Sequence, residues 1–97
     1  MARVKLSAIA RDDLAAIEEY GSARFGEDVG AEYVLSISKV LRLLAQYPLA
    51  GRARPELRAT TRSRTHRSHV IYYRVSGETV FVQRILHTSQ DASAYFQ

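Results

Sequence analysis

The chain has 97 residues, 46% hydrophobic and 25% charged, with 14 Lys and Arg against 10 Asp and Glu for a formal net charge of +4. That length supports one core, so a single domain over residues 1–97 is expected, and the composition excludes intrinsic disorder and collagen-like repeats. No apolar run approaches the ~18 residues of a membrane span, no long apolar stretch follows Met1, and cysteine is absent, so we expect a cytoplasmic protein with no membrane partner, disulfide or thiolate metal site.

Val4-Lys5-Leu6 alternates apolar and polar residues and predicts a short strand. Ser7 then reads as a helix N-cap, and Ile9, Ala10, Leu14, Ile17 and Tyr20 follow the helical period up to Phe25-Gly26. Asp12 and Asp13 lie early in this helix, where negative charge suits the helix dipole. A second helix is predicted from about Glu27 to Tyr47 on the stripe of Tyr33, Ile37, Val40, Leu41 and Leu44, stopped by Pro48. The two helices form a hairpin around Gly26.

After Gly51 and Pro55 the period changes. Leu57 to Thr61 can be a strand, as can His69 to Val75 and Thr79 to Leu86, the last two joined through Ser76-Gly77-Glu78 as a β-hairpin. Tyr72 and Tyr73 fall on opposite faces, one in the core and the other either a partner contact or a core residue of the second face. The near-continuous apolar content predicts a sheet buried on much of both faces. The helical hairpin covers one face, and only Ala92 to Gln97 remains for the other, a shortfall that points to a protein partner.

Charge is unevenly placed. Residues 1–50 carry six bases and seven acids, whereas residues 51–75 carry seven arginines (Arg52, Arg54, Arg58, Arg62, Arg64, Arg67 and Arg74) and one acid, Glu56. The planar guanidinium pairs bidentately with carboxylate or phosphate, so the segment reads as a docking surface for nucleic acid or an acidic protein segment. A solvated basic loop bridged to the acidic first half is the other reading.

His66 and His69, taken as neighbours on one strand, fall on opposite faces and cannot chelate one ion, and no paired-ligand spacing or Gly-rich phosphate loop exists. No metal or cofactor is expected. The best enzymatic constellation is His87, Arg84 and Tyr95 with Arg62, Arg64 and His66, which could supply the acid, base and cations of a metal-free ribonuclease. The alternative is structural: His87 pairs with Asp91 four residues on, and Arg84 bridges to a carboxylate.

Leu6-Ser7 followed by Ala10, Asp13-Leu14, Ile17, Tyr20 and Phe25-Gly26 resembles the opening of ParE-type toxins. Pro48-Leu49-Ala50-Gly51-Arg52, Leu57-Arg58, Ser68 through Val75 and Arg84-Ile85-Leu86-His87 through Asp91 continue the likeness over nearly the whole chain. Gln90 departs from the methionine often found before that Asp. The resemblance implies the RelE/ParE-like α+β fold, β-α-α-β-β-β, with an N-terminal strand, a helical hairpin and an antiparallel sheet. It implies the toxin half of a type II toxin–antitoxin pair that traps DNA gyrase on broken DNA without being an enzyme, in plasmid maintenance or stress response. A ParD-like antitoxin is then the partner, and operator DNA is met only through it. We expect that antitoxin at Arg58, Arg62, His69, Tyr72, Arg74 and Arg84. RelE-like relatives instead cut messenger RNA on the ribosome, and in that alternative Arg62, Arg84, His87 and Tyr95 are the catalytic residues.

Overall fold

Ser7 joins the first strand to the first helix and serves both. In the computed structural model, which describes residues 1–96, its Oγ accepts from the Ala10 N–H at 2.9 Å and donates to the Gln83 carbonyl at 2.9 Å. The first bond caps helix α1 (Ala8–Phe25), and the second ties the helix start to the sheet. Helix α2 (Glu27–Gln46) follows after Gly26, whose φ of 100° is a conformation that side chains disfavour. The helices approach closely where Gly21 meets Gly30; a Cβ on Gly30 would lie 2.7 Å from the Ser22 amide nitrogen.

Strand β1 (Arg3–Leu6), β2 (Arg52–Ala53), β3 (Arg62–His66), β4 (His69–Ser76) and β5 (Thr79–His87) form one sheet in the order β1-β5-β4-β3-β2, and a 3-10 turn, Ala92–Tyr95, follows. The α+β class and the strand–helix–helix–sheet order match expectation, with one further strand, the two-residue β2, added before the expected three. The sheet is mixed rather than antiparallel, because β1 runs parallel to β5 and pairs Val4 with Val80 and Leu6 with Val82. One face packs on the helices through Ile37, Leu41, Leu44, Ile71, Tyr73, Val80, Val82 and Ile85, all buried. Tyr72, Leu86, Leu57, Ala92 and Phe96 form a smaller cluster on the opposite face. Tyr72 and Tyr73 therefore lie on opposite faces as alternation requires, and both are core residues.

The C-terminal turn, short as it is, supplies a cover for the second face, because Phe96 lies against Tyr72 with ring centroids 5.3 Å apart. Leu57 to Thr61 is not a strand. Its backbone folds on itself, the Leu57 N–H donating to the Arg54 carbonyl and the Thr61 N–H to the Arg58 carbonyl, so that Leu57 reaches this second cluster. The strand begins at Arg62 instead. His66 and His69 are not on one strand; they pair across the Arg67-Ser68 hairpin turn and share a face, and Arg67 takes a positive φ of 52° there. Between β4 and β5 the register shifts from Tyr72–Arg84 to Tyr73–Val82, leaving Gln83 as a bulge residue whose side-chain oxygen accepts from the Thr61 hydroxyl at 2.9 Å.

Candidate functional site

β1 ends at Leu6, and β5 continues five residues past that pairing, to His87. The outer edge of this half of β5 would leave backbone groups unpaired, and side chains satisfy them. Ser7 takes the Gln83 carbonyl, Asp13 Oδ2 accepts from the Ile85 N–H at 2.9 Å, and Gln90 Oε1 accepts from the His87 N–H at 2.8 Å. Asp12 and Asp13 both lie beyond the first turn of α1, where the dipole effect is concentrated, and Asp13 serves the sheet edge instead. Its carboxylate also receives two hydrogen bonds from Arg84, both 2.9 Å, while the Arg84 guanidinium lies 4.8 Å from the centre of the Tyr95 ring. These bonds raise the Arg84 pKa above its ordinary value, against the opposing effect of burial.

Above this edge runs a groove of about 630 Å³, walled by α1 and α2 on one side and the ends of β4 and β5 on the other. Ile17, Gly21 and Ile85 line its floor, and Tyr20, Phe25 and Val29 stand at the rim, 63, 62 and 48% exposed. Such a contiguous apolar rim is the type of surface a partner covers. The polar wall is His69, His87, Tyr33 and Gln90. Tyr33 Oη lies 2.6 Å from His69 Nδ1, and the His69 and His87 rings meet edge to face at 5.3 Å. His66 sits behind Tyr33, with Nε2 2.8 Å from Ser36 Oγ. Burial is the main cause of the lowered pKa of His69, with smaller contributions from His87 and His66; burial and then Arg67 lower that of His66. Among the described residues no group of three His, Cys, Asp or Glu side chains is placed to hold a metal ion.

The residues singled out from sequence do not form one cluster. Of the antitoxin set, His69 is in the groove wall and Arg84 lies beside it, engaged by Asp13. Arg58 and Arg74 lie on the opposite face of the sheet, over Phe96 and Phe81. Tyr72 is 4% exposed beneath Phe96, so a partner reaches it only by displacing that ring. Arg62 donates to the Gly51 carbonyl at 2.8 Å and to that of Leu49, at the far end of β3 from the groove.

Of the ribonuclease set, Arg84 lies over the Tyr95 ring and Gln90 links the Tyr95 hydroxyl, at 3.0 Å, to the His87 N–H, whereas Arg62 is at the far end of β3. Arg62 and Arg84 are committed to other partners, and His87 Nδ1 is bonded to Ser89, by its Oγ at 2.7 Å and its N–H at 3.0 Å, rather than to Asp91. Asp91 instead caps the final turn through the Ser93 N–H. The Arg84–carboxylate bridge is present, as the structural alternative required. Sequence reading missed Asp13, Tyr33, Phe25 and Val29 as members of the site. The signal was an aromatic pair, Tyr20 and Phe25, outside the buried stripe of α1.

The sequence profile of the family described as "ParE toxin of type II toxin-antitoxin system, parDE" matches residues 4–92. Toxin ParE1 of Caulobacter vibrioides is 35% identical over 91 residues, 94% of each chain, and Toxin ParE1 of Mycobacterium tuberculosis is 34% identical over 90 residues, 92% of each. A chain of the solved structure "Chromosomal ParDE TA system from P. aeruginosa" superposes with a TM-score of 0.78 at 25% identity, covering 90% of this chain and 96% of that one. The chain belongs to the ParE toxin family of type II toxin–antitoxin systems.

Proposed function

We propose that this chain poisons DNA gyrase by stabilising its cleaved-DNA state, and that a ParD-like antitoxin neutralises it. The family match over residues 4–92 carries the toxin reading, and the likeness to a chain of the P. aeruginosa ParDE system supports a ParD partner. The remoteness of Arg62 and the engagement of Arg84 by Asp13 weigh against the ribonuclease alternative, since phosphoryl chemistry without a metal needs a base, an acid and free cations converging on one phosphate.

The groove suits an amphipathic segment of the antitoxin, whose apolar side chains would cover Tyr20, Phe25 and Val29 beside His69. Its acidic residues would cross to Arg58 and Arg74, and contact with Arg62, Arg84 or Tyr72 would require those side chains to leave their present partners. Operator DNA is met only through the antitoxin. Among the described residues no helix is long and apolar enough to cross a membrane, and the cytoplasm, where gyrase works, is the proposed location.

The test is incubation of the purified protein with gyrase, ATP and supercoiled plasmid, followed by detergent and protease. Linear DNA is the expected product. Intact plasmid, with cleavage of ribosome-bound message in a parallel reaction, would replace this reading with the ribonuclease one.

A further inference from the structure

Strand alternation gathers several bases on the sheet face that points away from the helices. Val4 and Leu6 pack on the helix-side core, so Arg3 and Lys5 project from the other face of β1. Lys5 is level with Phe81 on β5, and Phe81 with Arg74 on β4. Arg52 is level with Ser63, and Ser63 with Tyr72, which places Arg52 on the same face at the opposite edge. Arg54 and Arg58 extend over that face from the loop before β3, covering the rings of Tyr72 and Phe96 at 5.6 and 5.3 Å.

Seven of the ten acids lie in α1 and α2, on the other layer. The two ion pairs among the described residues use Arg54 (with Glu56) and Arg84 (with Asp13), so Arg3, Lys5, Arg52, Arg58 and Arg74 have no carboxylate within bridging distance. The helices also carry Arg11, Arg24, Lys39 and Arg42, and Arg62 and Arg64 alternate to the helix side of β3, so that side is close to charge balance, whereas the second sheet face bears five bases with no carboxylate partner.

We infer that this open face binds the phosphate backbone of duplex DNA; resting on the gyrase reading, that duplex is the segment held by the poisoned enzyme. Three observations choose the occupant. First, the cations are spread from β1 to β2, four strand spacings or about 19 Å, which matches the backbone of roughly five to six base pairs at ~3.4 Å each. A point-like anion needs convergent cations instead.

Second, Tyr72 and Phe96 are 4 and 7% exposed, and Phe81 is half-buried beneath Arg74. The face therefore offers no open row of rings on which the bases of a single strand could stack. Third, stacking on rings holds the Arg54, Arg58 and Arg74 guanidiniums in place before any ligand arrives, which reduces the entropy cost of meeting a regular array of phosphates. Because Arg58 and Arg74 are also the proposed antitoxin contacts, antitoxin and DNA would exclude one another.

The experiment is fluorescence anisotropy of a labelled 20-base-pair duplex with the full chain between 50 and 200 mM salt, with poly-glutamate of equal charge as competitor. Five phosphate contacts give a slope of log K against log salt of about −4.5, an affinity loss of roughly 500-fold over that range. Substitution by glutamine at Lys5, Arg58 and Arg74 together should reduce the slope magnitude by about 3, and Lys5→Gln alone, at an exposed strand position, by about 1. The triple variant should also trap less cleaved plasmid on gyrase.

No duplex binding at 50 mM salt, an unchanged slope in both variants, stronger competition from poly-glutamate than from unlabelled duplex, or equal trapping by the triple variant and a wild type that does trap gyrase would each overturn the inference. Salt-dependent duplex binding by a wild-type protein that traps no gyrase would overturn the gyrase reading and leave the DNA-binding face in place.

Discussion

Asp13 holds Arg84 by two hydrogen bonds of 2.9 Å and, with an oxygen of the same carboxylate, closes the β5 edge at the Ile85 N–H. One side chain from the second turn of α1 thus replaces the strand that β1 is too short to provide. Both partners are largely shielded, with side chains 19 and 14% exposed.

Asp13→Ala should therefore cost more than a surface ion pair. It strands the Ile85 N–H and leaves Arg84 without its counter-charge, so a loss of about 2–3 kcal/mol is expected. Asp13→Asn keeps one acceptor and should cost less. Urea midpoints at constant slope measure both; equal, negligible losses would show that water replaces the carboxylate at no cost.

Tyr73→Phe tests the opposite end of the sheet. The Tyr73 hydroxyl accepts from the Gly51 N–H and donates to the Pro48 carbonyl, each at 2.8 Å, and so anchors the turn after α2. The variant keeps the ring in the core and should lose about 1–3 kcal/mol through the stranded Gly51 amide. Faster hydrogen exchange at Gly51, with the amides of α1 unchanged, is the local signature.

Stability should fall on mild acidification. Burial lowers the pKa of His69 below its ordinary 6.5, so the unfolded chain binds this proton more readily than the folded one. The stability is present above about pH 6.5 and is lost as pH falls through 6.5 towards the lower folded value, where the loss levels off. Glu56 has a lowered pKa through its bond to Arg54, so any contribution from it is lost only below its ordinary 4.5 and is separable. His66, whose pKa burial also lowers, acts in the same window and with the same sign, so His69→Gln should reduce the loss without abolishing it; unfolding midpoints at pH 5 and pH 7.5 that differ equally in variant and wild type would refute this.

Reversing charge at Arg58 or Arg74 should weaken an antitoxin complex by more than the ~1 kcal/mol of an exposed pair, and complex formation should be steeply salt-dependent. Isothermal titration of each Glu variant against the cognate antitoxin measures it, and unchanged affinity in both would remove these arginines from the interface.

The sequence by itself determined the two helices, the β4–β5 hairpin, the placement of Tyr72 and Tyr73 on opposite faces and the excess of arginine, because periodicity, turn chemistry and charge are local properties. The family resemblance was legible too, since its motifs are contiguous. Only the tertiary structure decided what pairs with what. Asp13 finds Arg84 across 71 positions, and nothing near either residue signals the partner. The parallel pairing of β1 follows from where the helical hairpin returns the chain. Leu57 looked like part of a strand because its neighbours are β-branched, but the apolar cluster with Phe96 bent it into a turn. His66 and His69 share a face because a two-residue turn separates them, and spacing alone does not distinguish a strand from a hairpin. The gathering of unpaired bases on one sheet face is likewise a property of packing: alternation put Arg3, Lys5 and Arg74 there and sent Arg62 and Arg64 to the helix side.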